Sequence, residues 1–220
     1  MSVIKELQQK MNTAKKTFAF LGIFAFLILS IGLVSASTDL LDEDFETATD
    51  LTDWTLTNDG VADDWTLVDD TNNFAEANGN SNSAMSRTIS TTGYKDITFS
   101  YDRQLGNFDG NGEEFNVSYS NDGGATWTVL ESNTTASNDA TFFSKSHSLN
   151  DDLSNDNSAF KIKFECINNA LDEFCRVDNV VLVGTLMVYS LDITEPTSSV
   201  DYGQNTTLTI TNDGDYDLSN

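Results

Sequence analysis

Carboxylate side chains are the groups in this sequence whose type and number could support chemistry. Two carboxylates held close together could act as the acid and base of a glycosidase. Oxygen donors that alternate with glycine, as at Asp109, Asn111 and Glu113, could supply part of a calcium ion's coordination shell. However, the 35 acidic residues give a pair such as Glu113 and Glu165 no special standing. Segment 109–113 also lacks the spacing of an EF-hand loop and its final bidentate glutamate, which favours a solvated turn.

Other catalytic chemistry leaves little trace in the sequence. His147 is the only histidine, and the chain contains neither a G-x-S-x-G elbow nor an H-E-x-x-H pair. A single histidine in a strand-like run such as FFSKSHSL is more often a surface residue than a catalytic base. We therefore expect no enzymatic activity.

A short motif between two strand-like runs carries the clearest local pattern. Residues 119–127 read YSNDGGATW and follow the spacing S-x-D-x-G-x-T-W, with its fixed positions at Ser120, Asp122, Gly124, Thr126 and Trp127. This spacing resembles the Asp-box, a hairpin turn best known from sialidase propellers. Such a propeller needs several boxes, a cluster of three arginines and a longer chain, whereas this sequence has one box. We interpret the motif as a turn in which Asp122 accepts hydrogen bonds from backbone amides and Trp127 packs beneath.

The N-terminal segment predicts where the protein is located. Lys15 and Lys16 precede an apolar run over residues 18–34, and Ala36 ends a small-residue cleavage site, Val-Ser-Ala. Residues 1–36 are therefore predicted to be a Sec-type hydrophobic export helix, a signal peptide cleaved after Ala36. The alternative is an uncleaved membrane anchor, because the run is long enough to span a bilayer. In both cases the remaining chain is extracellular or on the cell surface, and the membrane is contacted only through an uncleaved segment.

The cysteines and three sequons agree with an exterior location. Cys166 and Cys175 flank a turn-like segment between two apolar runs, so we predict a disulfide bond that fixes a hairpin. Three N-glycosylation sequons begin at Asn116, Asn133 and Asn205. Because the chain is rich in Asn, Ser and Thr, chance sequons are expected, and they predict a glycoprotein only weakly.

Charge restricts the partners of the exported part. The whole chain carries a formal charge of −24, and beyond residue 36 there are 7 Lys and Arg against 34 Asp and Glu. Such a field repels nucleic acid and anionic lipid, so nucleic acid is excluded as a partner. Salt adaptation and calcium dependence are both compatible with this acidity.

Apolar residues beyond residue 36 recur with a period of two. The runs ITFSY (97–101), FNVSY (115–119) and FKIKF (160–164) alternate apolar and polar residues and are separated by turns rich in Asn, Asp and Gly. Many short strands without helical periodicity predict an all-β protein, an antiparallel β-sandwich.

The order of several motifs resembles extracellular jelly-roll sandwiches of the MAM and carbohydrate-binding-module types. DEDFE (42–46) opens the segment, two tryptophans follow, and RVDNV (176–180) lies near its end. The resemblance covers residues 39–185 and implies a jelly-roll β-sandwich. It also implies a structural calcium ion (Ca²⁺) held by Asp44, Glu46 and Asp178, since carboxylates of the first and last strands can share a calcium. The alternative is that these are ordinary surface carboxylates.

A proline marks a boundary near the C-terminus. Pro196 lies in a predicted linker, residues 186–199, and residues 200–220 follow with alternating apolar residues and an Asn-Asp-Gly turn. This last segment resembles the first two strands of an Ig-like surface-protein repeat. Two strands alone are not independently stable, so we expect them to be completed by another chain, by the main domain or by a longer sequence.

These features predict a non-catalytic recognition or adhesion module that binds a glycan or a surface protein. Trp54 and Trp65 are the candidate ligand-stacking residues, with the sandwich core as the alternative for both. The alternative function is a structural subunit of a surface layer or filament. In that case copies of the chain would join by β-strand addition, in a manner that could depend on calcium.

Overall fold

The computed structural model describes most of the chain beyond the predicted export segment. The described residues are 36–47, 49–58, 65–69, 72–80, 82–149, 151–188 and, by their backbone, 191–194 and 209–212. The strands are β1 (Ser37–Glu43), β2 (Thr55–Asn58), β3 (Thr66–Val68), β4 (Phe74–Asn78), β5 (Asn82–Thr88), β6 (Tyr94–Gly106), β7 (Glu114–Ser120), β8 (Thr128–Asn133), β9 (Phe143–Leu149), β10 (Lys161–Ile167), β11 (Phe174–Leu186), β12 (Leu191–Thr194) and β13 (Thr209–Asn212). A short 3-10 helix, Asp50–Asp53, lies between β1 and β2.

Two antiparallel sheets form the sandwich. The six-stranded sheet has the order β3-β4-β11-β6-β9, with β1 also paired to β11. The five-stranded sheet has the order β2-β5-β10-β7-β8. The prediction of an all-β, antiparallel jelly-roll sandwich is confirmed.

Side-chain alternation along the strands builds the core between the sheets. Phe115 and Val117 of β7 and Ile162 and Phe164 of β10 are fully buried, whereas the residues between them face outwards. This is the burial that the period-two runs predict, because successive side chains of a strand point to opposite faces.

Phe164 lies at the centre of an aromatic cluster in this core. The distance from its ring centroid is 5.2 Å to Tyr101, 5.9 Å to Phe99, 6.0 Å to Trp54 and 6.4 Å to Phe115. Aromatic pairs at such distances contribute about 0.5–1.5 kcal/mol each beyond their buried area.

The predicted disulfide bond between Cys166 and Cys175 is present, and its Cα atoms are 6.1 Å apart. It does not fix a simple hairpin, because β10 and β11 belong to different sheets. Both cysteines are fully buried. The bond therefore joins the two layers of the sandwich at one end.

The predicted terminal segments are described only in part. The export segment lies outside the described residues, and among the described residues no helix has the length and apolar character needed to cross a membrane. Within the predicted linker, β12 pairs antiparallel with β13, which lies in the predicted Ig-like segment. These two strands form a small sheet of their own. The Ig-like identity of residues 200–220 stays a prediction.

Candidate functional site

The two tryptophans predicted to stack on a ligand lie in the core. Trp54 is 5% exposed and Trp65 is 1% exposed. The ring of Trp54 lies 6.1 Å from Phe45 and 6.0 Å from Phe164, and the Arg87 guanidinium lies 5.8 Å from its centroid. Neither indole presents a face to a ligand. The predicted stacking role is wrong for both, and the alternative, a place in the core, describes them.

The Asp-box segment forms the turn between β7 and β8, as its spacing predicts. Asp122 accepts a hydrogen bond from the Thr126 backbone N–H at 2.9 Å and another from the Thr126 hydroxyl at 2.6 Å. The Ser120 hydroxyl oxygen accepts the N–H of Gly124 at 2.8 Å. Gly124 has φ 99°, a conformation that favours glycine. These bonds fix the position of Trp127, the residue directly before β8.

Trp127 lies on the outer face of the five-stranded sheet. The Nζ atom of Lys163 is 4.9 Å from its ring centroid, and Lys163 faces outwards because its neighbours Ile162 and Phe164 fill the core. A Cβ added at Gly124 would lie 3.3 Å from the indole, so the turn packs directly against it. Trp127 is half-buried and is held at the margin of an open sheet face.

Outward-facing residues form two rows across this sheet, which together with Trp127 we call the polar face. The strand register places the first row at Thr57, Ala84, Glu165, Asn116 and Ser132 and the second row at Thr55, Ser86, Lys163, Ser118 and Val129. Most of these side chains carry a hydroxyl, amide, carboxylate or ammonium group, and all but Ala84 and Ser118 are at least partly exposed. The polar face therefore offers hydrogen-bond donors and acceptors on all five strands.

Glu165 lies at the centre of the polar face. Its Oε2 accepts a hydrogen bond from Asn116 Nδ2 at 3.4 Å, and its Oε1 lies 3.6 Å from Lys163 Nζ. A groove of about 220 Å³ beside it is lined by Thr57, Asn58, Asn82, Ala84 and Glu165. The small Ala84 side chain leaves this groove open between polar neighbours.

His147 belongs to a polar network at another edge, between β9 and β8. Its Nε2 is 3.2 Å from the hydroxyl of Tyr101, which lies 2.6 Å from Glu131 Oε2. Burial lowers the pKa of His147 and raises that of Tyr101, so it favours the uncharged form of both side chains. Arg103 Nε pairs with Glu131 at 3.1 Å. His147 therefore belongs to a half-buried structural network and does not have the surface position expected for it.

The three predicted calcium ligands do not meet as one set. Asp44 lies beside Glu43 and Asp50, with ligand oxygens within 4.8 Å of one another. In this cluster, however, Glu43 already pairs with the Arg87 guanidinium at 2.6 Å. That cation partly neutralises the cluster.

Glu46 and Asp178, the other two predicted ligands, lie near each other. Asn72 donates to Asp178 at 2.9 Å, and the N–H of Asn73 lies 3.4 Å from Glu46 Oε1. Burial raises the pKa of Asp178, and the carboxylates of Asp102 and Glu46 raise it further. A cavity of about 310 Å³ lined by Glu46, Asp69, Asn73 and their neighbours lies alongside. Glu46 and Asp178 thus lie near each other, and Asp44 belongs to the cluster with Glu43 and Asp50.

The sequons differ in their surroundings. Asn116 is half-buried in the middle of the polar face, whereas Asn133 ends β8, where its Oδ1 accepts the N–H of Thr135 at 3.1 Å. Asn205 lies outside the described residues. Glycosylation of all three stays a prediction.

Sequence reasoning missed the polar face because it assigned Trp127 to the turn alone. Outward-facing polar residues of a strand look the same in sequence whether they face solvent or a ligand. A tryptophan directly after the Asp-box, opposite the alternating Lys161 and Lys163, is the signal that could have found it.

Comparisons with known proteins concern the fold. No family model matches the chain, and no curated protein matches it significantly. Among solved structures, TmCBM61 in complex with β-1,4-galactotriose matches with TM-score 0.48 and 12% identity, over 66% of this chain and 97% of that chain. The K1 cleaved adhesin domain of Lys-gingipain from Porphyromonas gingivalis W83 matches with TM-score 0.48 and 16% identity, over 67% and 97%. The xylan-binding module CBM15 matches with TM-score 0.43 and 8% identity, over 69% and 97%.

Proposed function

We propose that this chain is a non-catalytic recognition module, displayed outside the cell, whose polar face binds a neutral oligosaccharide. The observation that carries the proposal is the half-buried Trp127 at the margin of a sheet face lined by hydroxyl, amide and carboxylate groups. Sugar rings present hydroxyls at their edges and C–H groups on their faces. An aromatic ring beside ordered polar groups matches both.

The charges of the polar face favour a neutral ligand. Lys163 pairs with Glu165, so the centre of the face carries an internally compensated charge. The rest of the exported part is strongly acidic, and this field repels polyanions. A neutral oligosaccharide is not repelled by this field, and it brings no charge that the centre of the face would have to compensate.

The groove beside Glu165 is suited to binding a glycan without hydrolysing it. Hydrolysis of a glycosidic bond by a glycosidase of the usual kind needs two carboxyl groups about 5–9.5 Å apart. Among the residues that line the groove, Glu165 is the one carboxylate, and it is engaged by Lys163 and Asn116. The arrangement supports orientation of a ligand and provides no second acid or base.

The test compares Trp127→Ala with the wild type by affinity electrophoresis in gels containing soluble neutral polysaccharides. Xylan, galactan and mixed-linkage glucan serve as probes, and pectate serves as the acidic contrast. We expect Trp127→Ala to weaken binding at least about tenfold, as loss of an aromatic anchor does. Its melting temperature should stay close to that of the wild type.

Two variants serve as controls. Phe143→Ala removes an aromatic side chain that is 48% exposed on the other sheet, and it should not change binding. Trp54→Ala should instead lower the free energy of unfolding by about 3–5 kcal/mol, because it empties a core position. The proposal would be overturned if Trp127→Ala bound every probe as strongly as the wild type does. It would also be overturned if the wild type bound pectate and none of the neutral polysaccharides.

A structural calcium ion at Glu46 and Asp178 belongs to the same proposal. These two carboxylates would hold the ion, and the ion would supply charge compensation between β11 and the segment that follows β1. The raised pKa of Asp178 beside other carboxylates supports this role. Asp178→Asn should then lower the thermal stabilisation that calcium gives the full chain, which differential scanning calorimetry measures.

A further inference from the structure

A buried glutamate closes the turn that precedes β7. The Oε2 atom of Glu113 accepts the backbone N–H groups of Gly110 and Asn111, each at 2.8 Å. Gly110 and Gly112 have φ values of 81° and 120°, which let the chain curl around the carboxylate. Glu113 is 1% exposed, so this segment is not the solvated turn that its sequence favours.

A second buried glutamate closes the turn that precedes β11 in the same way. The Oε2 atom of Glu173 accepts the N–H groups of Asn169 and Ala170, at 2.7 and 2.9 Å. Glu173 is 2% exposed. The turn lies within the nine-residue separation closed by the Cys166–Cys175 disulfide, which limits its freedom.

The two turns are bonded to each other. Asn169 Nδ2 donates to the carbonyl of Asn111 at 2.9 Å, and Asn107 Nδ2 donates to the carbonyl of Asp172 at 2.7 Å. These bonds hold the turns in a fixed relation although they lead into different sheets. The carboxylates that the turns enclose are therefore prearranged.

The side chains of Glu113 and Glu173 lie within hydrogen-bonding reach of each other, and Asp109 reaches Glu113 from the exposed side. Glu113 Oε1 is buried and has no hydrogen-bond partner among the described residues. No ion pair of the described residues involves either glutamate. An unpartnered buried carboxylate oxygen is costly unless a cation or a proton lies against it.

We propose that the two turns form a calcium site in which Glu113 and Glu173 are the central ligands. All donors are oxygens, which calcium prefers, and water can complete a shell of six to eight ligands. The adjacent cysteines are joined in a disulfide and offer no thiolate to a softer metal. The site is separate from Glu46 and Asp178 and does not depend on glycan binding.

The experiment titrates calcium chloride into the full chain after EDTA treatment and dialysis, with isothermal calorimetry as the readout. Wild type, Glu113→Gln, Glu173→Gln and Asp178→Asn are compared. The matched control is Asp172→Asn, which removes the same charge from an exposed position in the same turn. We expect each glutamine variant to lose one calcium or to bind it at least about tenfold more weakly. The control and Asp178→Asn should retain that ion.

Three results would overturn the site. The first is wild-type protein that binds no calcium, and the second is glutamine variants that bind the same number of ions with the same affinity. The third is a combination of two melting temperatures: the calcium-free Glu173→Gln variant melts higher than the wild type, and calcium does not change the melting temperature of the wild type. This combination would mean that a proton shared by the two carboxyls takes the place of the ion.

A measurement on the wild type covers the case in which a glutamine variant does not fold. Calcium should shift the amide NMR signals of Gly110, Asn111, Asn169 and Ala170, whose N–H groups bond to the two carboxylates. Unchanged signals at all four amides in saturating calcium would also overturn the site.

Discussion

Asp122 shows at the scale of one residue how the hairpin turn depends on ionisation. The hydroxyl and backbone N–H of Thr126 and the hydroxyl of Ser120 bond to its carboxylate and hold its pKa well below the usual range. A carboxyl group whose pKa is lowered by folding contributes stability above its unfolded pKa, about 3.9. That contribution is lost as the pH falls toward the folded-state value.

We therefore expect Asp122→Ala to melt at a lower temperature than the wild type at pH 7. The gap should narrow as the pH is lowered below about 4, because the Asp122 carboxyl then takes up a proton in the unfolded chain while it stays ionised in the folded wild type. Thermal melts followed by circular dichroism between pH 7 and pH 2 measure this difference in melting temperature. Asp152→Ala, which removes an exposed carboxylate elsewhere, is the control. A gap that is constant over this range would contradict the role of the ionised carboxylate.

Single residues also show where sequence reasoning stops. The S-x-D-x-G-x-T-W spacing predicted the hydrogen bonds of Asp122 because a turn is a local structure whose partners lie within a few residues. The burial of Trp54 and Trp65 depends on strands far away in sequence, so the pattern could not separate a core indole from an exposed one. The motif places Trp127 in its turn and says nothing more about it. The contact of Trp127 with Lys163 depends on how β10 pairs with its neighbours, which the motif does not encode.

The disulfide belongs to the scale of elements, since it links β10 of one sheet to β11 of the other. Cys166 and Cys175 are nine residues apart, and closing so short a loop restricts the unfolded chain only moderately. Both half-cystines are buried, so the bond also fills core space.

Replacing both cysteines with alanine should lower the free energy of unfolding by about 2–3 kcal/mol. Urea unfolding followed by tryptophan fluorescence measures the change. Dithiothreitol should destabilise the wild type and leave the double-alanine variant unaffected. A double variant as stable as the oxidised wild type would show that the bond contributes nothing to stability.

The strands themselves were largely predictable, and their order was not. Runs such as FNVSY and FKIKF alternate with a period of two, which encodes the buried face directly. Which sheet a strand joins depends on long-range pairing, and no local pattern encodes it. For that reason the disulfide-linked strands were expected to be a hairpin, and the two rows of the polar face, which draw on five strands, were not foreseen.

The net charge of the whole molecule bears on its state of assembly. At a formal charge of −24, copies of the chain repel one another, and this repulsion favours separate molecules at low salt. The proposed recognition module needs no self-association. The alternative, a subunit that assembles by strand addition, needs it.

We expect residues 37–220 to be monomeric in size exclusion with light scattering, both with calcium and with EDTA. A monomer in both buffers supports recognition as the function of the single chain. Large species that form only in calcium would contradict this expectation and favour an assembling surface component.

The link between β10 and β11 also bears on the proposed export of the chain. If the chain crosses a membrane unfolded, its two layers must not be joined beforehand, and a reducing cytosol would keep Cys166 and Cys175 as thiols until then. An oxidising exterior would close the bond only after the chain has passed. For an exported chain, the order of translocation and locking is thus set by the redox difference between the two sides of the membrane.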